Sequence, residues 1–139
     1  MPMITVRYVS QTASPTLRGD IAALAARLGK EQLKKDPAVT AVLVEAADPA
    51  GWFTAGQHPT AGGLSSFWLD IKITDGTNTR AETSGFVRAV FEGMASLLGP
   101  LHDESYVLVH AVDGHAYGYG GRTQDQRWAA TQGELIVAG

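Results

Sequence analysis

The chain has 139 residues, enough for one compact domain, and its composition of 45% hydrophobic and 18% charged residues is ordinary for a globular protein. The formal net charge of -3 excludes a broadly cationic surface of the kind that binds nucleic acid or membrane. No cysteine is present, which excludes disulfides, thiolate metal sites and a cysteine nucleophile.

The N-terminal residues Met1–Arg7 lack the basic-then-apolar pattern of a secretory signal. No apolar run in the sequence is long enough to span a bilayer. We therefore expect a cytoplasmic protein with a single domain over residues 1–139.

The first predicted strand is Met3–Val9, where apolar side chains recur with the period of two that is typical of a strand. Ser14 is a good N-cap, and Pro15 suits the first helical position because its missing N–H needs no partner there. These two residues predict a helix over residues 15–28 that extends towards Leu33. The core stripe of this helix has spacings of three and four and consists of Leu17, Ile21, Leu24 and Leu28.

The segment Val39–Ala46 is almost continuously apolar and rich in β-branched residues. This pattern predicts a second strand that is covered on both faces, as in a parallel sheet. A helix that joins two strands of one sheet forms a parallel crossover, which is expected to be right-handed.

The same order of elements returns in the second half of the chain. Phe67–Ile73 predicts a third strand, followed by a turn at Asp75-Gly76. Thr79 and Glu82 have the spacing of a capping box and predict the start of a second helix. Its core stripe is predicted to consist of Phe86, Val90, Met94 and Leu97.

The second helix is predicted to stop at Gly99-Pro100, and Ser105–Val112 predicts a fourth strand. Matching strands lie about 65 residues apart, and each second strand runs into a loop rich in glycine and aromatic residues, so the chain contains an internal repeat. The predicted boundaries are repeat one at 2–56, a linker at 57–66, repeat two at 67–121 and a C-terminal arm at 122–139. The expected fold class is α+β, a tandem β-α-β repeat whose four-stranded mixed sheet carries two helices on one face.

The doubled β-α-β unit, with Pro2 before its first strand, resembles the tautomerase superfamily, which includes 4-oxalocrotonate tautomerase. The second half, with Asp70–Gly76 and Tyr117–Gly121, is similar to the short tautomerases. The first half, with Tyr8–Gln11, resembles the fused members around cis-3-chloroacrylic acid dehalogenase. The match runs from Pro2 to about Arg122, and it implies a tautomerase/MIF-like fold and a homotrimer.

The resemblance also implies a catalytic role for Pro2. Aminopeptidase can remove Met1 when a small residue such as proline follows, which leaves a secondary amine at Pro2. An apolar pocket lowers the pKa of an α-amino group below its ordinary range of about 7.7–8.0, and a base poised near the working pH suits proton transfer next to a carbonyl. The implied activity is keto-enol tautomerisation of a small enol or 2-keto acid, without a cofactor or metal.

The sequence departs from the family pattern at its arginines. Threonine stands at Thr12, Thr74 and Thr77, where the family places arginines around its turns. The resemblance therefore does not extend to a carboxylate clamp, and we expect no hydrolytic dehalogenation. The cations that we consider as candidates to contact an anionic substrate are Arg7, Lys72, Arg80 and Arg122. The residues predicted to bind an anionic substrate are Arg7, Trp52, Phe53, Arg80, Tyr106, Tyr117 and Arg122.

Several alternatives stay open at the level of sequence. The protein is either an isomerase or a catalytically silent, ligand-binding member that keeps only the assembly. If Met1 stays attached, Pro2 is an amide and cannot act as a base. A dimeric ferredoxin-like barrel has a similar β-α-β-β-α-β order. The four histidines show no metal-ligand spacing supported by carboxylates.

Overall fold

The protein is built on one four-stranded sheet in the order β2-β1-β3-β4, with a short hairpin and three α-helices. This computed structural model describes the backbone of residues 2–138 and the side chains of residues 2–132. In chain order the elements are β1 (Met3–Val9), α1 (Leu17–Leu33), β2 (Ala41–Ala46), β3 (Ser66–Thr74), α2 (Arg80–Leu98), β4 (Tyr106–Val112), β5 (Gly118–Tyr119), β6 (Arg122–Thr123) and α3 (Gln124–Ala138).

The sheet consists of two parallel β-α-β units joined at an antiparallel centre. β1 pairs with β2 in parallel and β3 pairs with β4 in parallel, whereas β1 and β3 run antiparallel. The predicted mixed sheet is therefore confirmed. The ferredoxin-like alternative is wrong, because that plan separates the two strands of each β-α-β unit and here they are neighbours.

The core lies between one face of the sheet and the two long helices. Side chains from all of these elements pack in one cluster that includes Val6 of β1, Ile21 of α1, Leu69 of β3 and Phe86 of α2. Each of these four side chains is at most 1% exposed. The prediction of two helices on one face is confirmed, since α1 and α2 share this core.

The start of α1 differs from the prediction. The helix begins at Leu17 with Thr16 as its N-cap, and Thr16 makes no side-chain capping hydrogen bond. Ser14 is not the N-cap. Its hydroxyl accepts a hydrogen bond from the Thr16 N–H at 3.3 Å and its carbonyl accepts one from the Leu17 N–H at 3.2 Å, so Pro15 and Thr16 lie in a preceding turn.

The second strand is shorter and more exposed than predicted. Pro37–Val39 forms a 3-10 turn, capped by the Asp36 side chain, and β2 begins only at Ala41. β2 is an edge strand of the sheet, and the side chain of Leu43 is 45% exposed. The expectation that this strand is covered on both faces is therefore wrong within the single chain.

The second helix starts as predicted. The Thr79 hydroxyl accepts from the Glu82 N–H at 3.1 Å, and the Glu82 carboxylate accepts from the Thr79 N–H at 2.8 Å, which completes the capping box. The hydrogen bond from the Thr79 backbone holds the pKa of Glu82 below its usual range. Leu98 rather than Leu97 completes the buried stripe, and Gly99 ends the helix with a φ of 82°.

Part of the segment between the two β-α-β units has regular structure and is buried. It contains a 3-10 turn at Pro59–Gly62, and both Ser65 and Ser66 are fully buried. The tail folds into α3, which has 15 residues. No helix within the described part of the chain has the length and apolar character that crossing a membrane requires.

Candidate active site

Pro2 lies at the N-terminal end of β1, which is an interior strand of the sheet. Pro2 is buried. Its carbonyl accepts a hydrogen bond from the Ala41 N–H at 3.2 Å, which holds it next to the start of β2. It lines a cavity of about 570 Å³ that we call the Pro2 cavity. The other lining residues are Met3, Ala38, Val39, Thr40, Ala41, Lys72, Tyr117, Gly118, Tyr119 and Gln124.

The β5-β6 hairpin supplies one wall of the Pro2 cavity. Tyr117 precedes the hairpin, and its hydroxyl shares a hydrogen bond of 2.5 Å with the Thr74 hydroxyl at the end of β3. Gly118 pairs with β6 at a position where a Cβ would collide with the backbone of Arg122. Because only glycine fits there, the sequence of the loop allows Tyr117 and Tyr119 to line the Pro2 cavity.

Two polar side chains complete the Pro2 cavity. Lys72 projects from β3, and its Nζ lies 2.6 Å from Oδ1 of Asp70. Gln124 is the first residue of α3 and is 9% exposed, and its Nε2 has no hydrogen-bond partner in the described part of the chain. The cavity thus combines apolar and aromatic walls with one cation and one unpaired amide donor.

A second cavity of about 580 Å³ adjoins the first, and we call it the Arg127 cavity. Tyr119 and Gln124 line both cavities. Arg127 is held against Tyr119, since its Nη2 and Nε donate to the Tyr119 carbonyl at 2.8 and 3.3 Å and its Cζ lies 3.7 Å from the ring centroid. The remaining lining residues are Thr74, Thr77, Arg122, Asp125, Trp128, Ala130 and Thr131.

The structure brings only part of the predicted substrate-binding set together. Tyr117 lies with Pro2, and Arg122 lies in the neighbouring Arg127 cavity. Arg7 sits further along β1, where its Nε lies 3.2 Å from the Glu45 carboxylate. Arg80 is exposed on the first turn of α2 and lines neither cavity.

The aromatic residues of the predicted substrate-binding set also lie in different parts of the structure. Phe53 packs on His58, with ring centroids 4.6 Å apart, in the loop after β2. The His58 ring donates to the Trp52 carbonyl at 2.9 Å, so these three residues form a local cluster. Tyr106 packs against Trp68 with the rings tilted and their centroids 5.9 Å apart, on the sheet face opposite the helices. Its hydroxyl bonds the Glu104 carboxylate, which raises the pKa of Tyr106.

Sequence reasoning missed three residues near the two cavities. Gln124 and Arg127 lie in the tail, where no predicted motif pointed to a site. Lys35 follows α1, and its Nζ donates to the Thr77 hydroxyl at 2.9 Å. Partial burial lowers the pKa of Lys35. Only the fold reveals these contacts, because Lys35 and Thr77 are far apart in the sequence.

The loop after β4 brings three exposed side chains together. Potential ligand atoms of Asp113, His115 and Asp125 all lie within 4.8 Å of one another. His115 contacts the Asp113 carboxylate through its backbone N–H and through Nδ1 at 2.7 Å, which lowers the pKa of Asp113. The sequence spacing did not predict this group, because Asp125 joins it only through the fold.

Comparison with known proteins identifies the architecture. No protein-family model and no curated protein matches the chain. Among solved structures, a wild-type fused 4-OT that forms a symmetric trimer superposes with a TM-score of 0.77 at 13% identity, covering 90% of this chain and 98% of that chain. Pt0534 inactivated by 2-oxo-3-pentynoate gives a TM-score of 0.76 at 13% identity, covering 88% of this chain and 96% of that chain.

A macrophage migration inhibitory factor-like protein from Entamoeba histolytica also has a similar structure. It superposes with a TM-score of 0.72 at 16% identity, covering 88% of this chain and 97% of that chain. Matches that cover nearly the whole of both chains at such low identity establish a common fold. The chain therefore has the fold of the tautomerase superfamily.

Proposed function

We propose that the protein is a keto-enol tautomerase that acts on a small enol or 2-keto acid, with the amine of Pro2 as its base. The observation that carries the proposal is the burial of Pro2 at a cavity with aromatic walls and one cation. Removal of Met1 frees the amine, and an apolar surrounding disfavours its ammonium form. Neutral amine is then present at the pH of the reaction.

The proposed reaction moves one proton between oxygen and carbon. The Pro2 amine accepts the proton of the enol hydroxyl and returns a proton to the carbon next to the forming carbonyl, so atoms and charge balance. A donor must stabilise the enolate oxygen while the proton is on the amine. Lys72 is the cation in the Pro2 cavity that supplies this donor.

The test is ketonisation of phenylenolpyruvate followed by ultraviolet absorbance, with protein shown by intact mass to have lost Met1. We expect Pro2→Ala, which keeps a primary α-amine once Met1 is lost, to lower the rate. Protein that retains Met1, in which the Pro2 nitrogen is an amide, should react about 100-fold or more slowly, the usual contribution of a general base. Pro15→Ala is the matched control, because Pro15 is an exposed proline at a different cavity. Equal rates for protein with and without Met1 reject Pro2 as the base. If the rate does not exceed that of buffer with any of several enol acids, the result supports a silent, ligand-binding protein.

We also propose that three copies of the chain assemble into a homotrimer. The sheet face opposite the helices presents large apolar side chains that are 41–49% exposed, and a face of this kind is typical of an interaction surface. They are Met3, Leu43, Trp68 and Tyr106. Fused 4-OT, which shares the fold, forms a trimer.

Light scattering tests the trimer. We expect wild-type protein to have the mass of three chains and Trp68→Lys to dissociate, because a charge in an apolar interface is left unpaired. Val87→Lys is the matched control, since Val87 is as exposed as Trp68 but lies on α2 at the other side of the chain. A wild-type monomer at micromolar concentration contradicts the assembly.

A further inference from the structure

Three side chains with metal-binding atoms meet where the loop after β4 approaches the first turn of α3. Asp113 and His115 belong to the loop, and Asp125 belongs to the helix. One potential ligand atom of each lies within 4.8 Å of the other two. Ligand atoms that share one Zn²⁺ at about 2.0–2.2 Å lie about 3–4 Å apart, so small rotations of the side chains bring all three onto one ion.

The donor set selects the class of ion. It combines one imidazole with two carboxylates, and imidazole is a ligand that suits Zn²⁺, whereas Mg²⁺ and Ca²⁺ prefer oxygen alone. All three side chains are exposed, so an ion reaches them from solvent and water completes its coordination. The mixture of nitrogen and oxygen donors favours a transition metal ion.

The backbone places the Asp125 carboxylate in this group. The Asp125 N–H donates to the Gly114 carbonyl at 3.1 Å, and its carboxylate lies over Gly114. A Cβ at position 114 would collide with Oδ1 of Asp125, although the backbone of Gly114 does not have positive φ. Glycine at this position therefore leaves a space that the carboxylate of Asp125 fills.

The charges around Asp125 give a second, independent reason to expect a cation. Arg122 and Arg127 line the same cavity as Asp125, yet among the side chains of residues 2–132 its carboxylate forms no ion pair with either. It lies instead near the carboxylate of Asp113, and like charges at this distance repel. The His115 ring, 2.7 Å from Asp113, carries at most one positive charge. A divalent ion balances both carboxylates.

We propose that Asp113, His115 and Asp125 bind a Zn²⁺ ion that fixes the β5-β6 hairpin. The hairpin, at residues 118–123, lies between the ligands in the sequence, so the ion closes a short loop that contains it. Closing a loop lowers the conformational freedom of the segment within it. Because the hairpin forms a wall of the Pro2 cavity, the ion stabilises that wall without contacting the reacting atoms. The inference does not depend on Pro2 acting as a base.

Calorimetry tests the site on untagged protein that has been treated with a chelator. We expect Zn²⁺ to bind saturably, with one ion per chain, and Mg²⁺ to bind about tenfold more weakly or less. His115→Gln and Asp125→Asn should each weaken Zn²⁺ binding by at least about tenfold, the loss that even outer contacts of a metal site cause. The matched controls are His102→Gln and Asp103→Asn in the loop before β4, which should bind as wild type does. Equal affinity in all four variants overturns the site.

A variant at position 114 tests the geometry without removing a ligand. Gly114→Ala keeps all three ligands, but its Cβ displaces the carboxylate of Asp125, so we expect weaker Zn²⁺ binding. Wild-type affinity in this variant contradicts the placement of Asp125 in the site.

Hydrogen exchange tests the effect on the hairpin. We expect Zn²⁺ to slow amide exchange at residues 118–123 and to leave the loop at Trp52 and Phe53 unchanged. Binding without slower exchange in the hairpin rejects the proposed role of the ion. Neither measurement uses turnover, so failure of the metal site and failure of Pro2 as the base are separate results.

Discussion

The two β-α-β units share a scaffold but differ at equivalent residues near the start of their first strands. Ile21 of α1 and Phe86 of α2 occupy matching positions, and both are fully buried. Pro2 precedes β1 and faces a cavity. The equivalent position of the second unit, in the register that matches Met3 with Trp68, holds Phe67, a fully buried core side chain of β3. The repeat duplicates the fold, whereas the chemistry that we propose needs a free amine and can arise in one unit only.

The loops after the second strands differ as well. In the first unit, the loop forms a 3-10 turn at Pro49–Gly51 and Phe53 packs on His58. In the second unit, the loop forms the β5-β6 hairpin, which brings Tyr117 and Tyr119 to Pro2. The cavity near the first loop, about 540 Å³, is lined by backbone, hydroxyl and apolar groups and by one arginine, Arg18.

The largest expected effect is on the shared scaffold. Ile21→Ala and Phe86→Ala each remove a fully buried side chain at matching positions. We expect losses of about 2–5 and 3–5 kcal/mol in the free energy of unfolding, measured by urea denaturation. A loss in one unit without a comparable loss in the other would show that the two units do not contribute equally to one core.

Glycines in the two loops give a sharper contrast. Gly56 and Gly120 both have positive φ, 75° and 61°, so alanine at either position should destabilise the fold by about 1–2 kcal/mol. An alanine Cβ meets nothing within 4 Å at position 56, whereas at position 120 it would lie 2.6 Å from Arg127. Gly120→Ala should therefore lower the free energy of unfolding more than Gly56→Ala does, as measured by urea denaturation. Equal losses for the two variants would contradict the placement of Arg127.

The N-termini of the helices should also differ. Thr79→Ala removes a capping hydrogen bond of α2 and should lower the free energy of unfolding by about 1 kcal/mol. Thr16→Ala changes an N-cap that makes no such bond, so its effect should stay within about 0.5 kcal/mol. Thermal and denaturant unfolding of the two variants would measure the difference, and equal losses would contradict it.

The smallest expected effect is on the stability of the fold at acidic pH. The folded-state pKa of Glu82 is held below its unfolded value, so its contribution to stability is present above the unfolded pKa and is lost as the pH falls through the folded pKa. Glu82→Gln cannot titrate and should show a flatter decline of unfolding free energy in this acidic window. Parallel curves for wild type and variant would show that the capping carboxylate does not contribute to the pH dependence.

Local patterns predicted much of the fold. The alternation in Met3–Val9 and the capping box at Thr79 both appear in the structure, because period and capping depend on neighbouring residues. The N-cap at Ser14 was wrong because its hydroxyl is used within the turn that contains Pro15. Exposure of β2 could not be read from its apolar composition, since composition does not distinguish a strand covered within the chain from one left open at an edge.

The candidate site was less predictable than the fold. The position of Pro2 and the approach of Tyr117 followed from the resemblance and the glycine-rich loop. Arg127 and Gln124 reach the site only because α3 begins directly after the hairpin, which is a tertiary arrangement without a local signal. Within the single chain, Arg7 and Arg80 lie away from Pro2, because Arg7 is further along β1 and Arg80 is exposed on α2.

The most direct test of the account is the titration of the Pro2 amine itself. Protein labelled with ¹⁵N at proline, and shown by mass to lack Met1, is followed by nitrogen NMR as the pH is raised. The account predicts a pKa below the ordinary α-amino range of about 7.7–8.0, because burial disfavours the ammonium form. A pKa within or above that range would contradict the claim that Pro2 is a base tuned by its cavity.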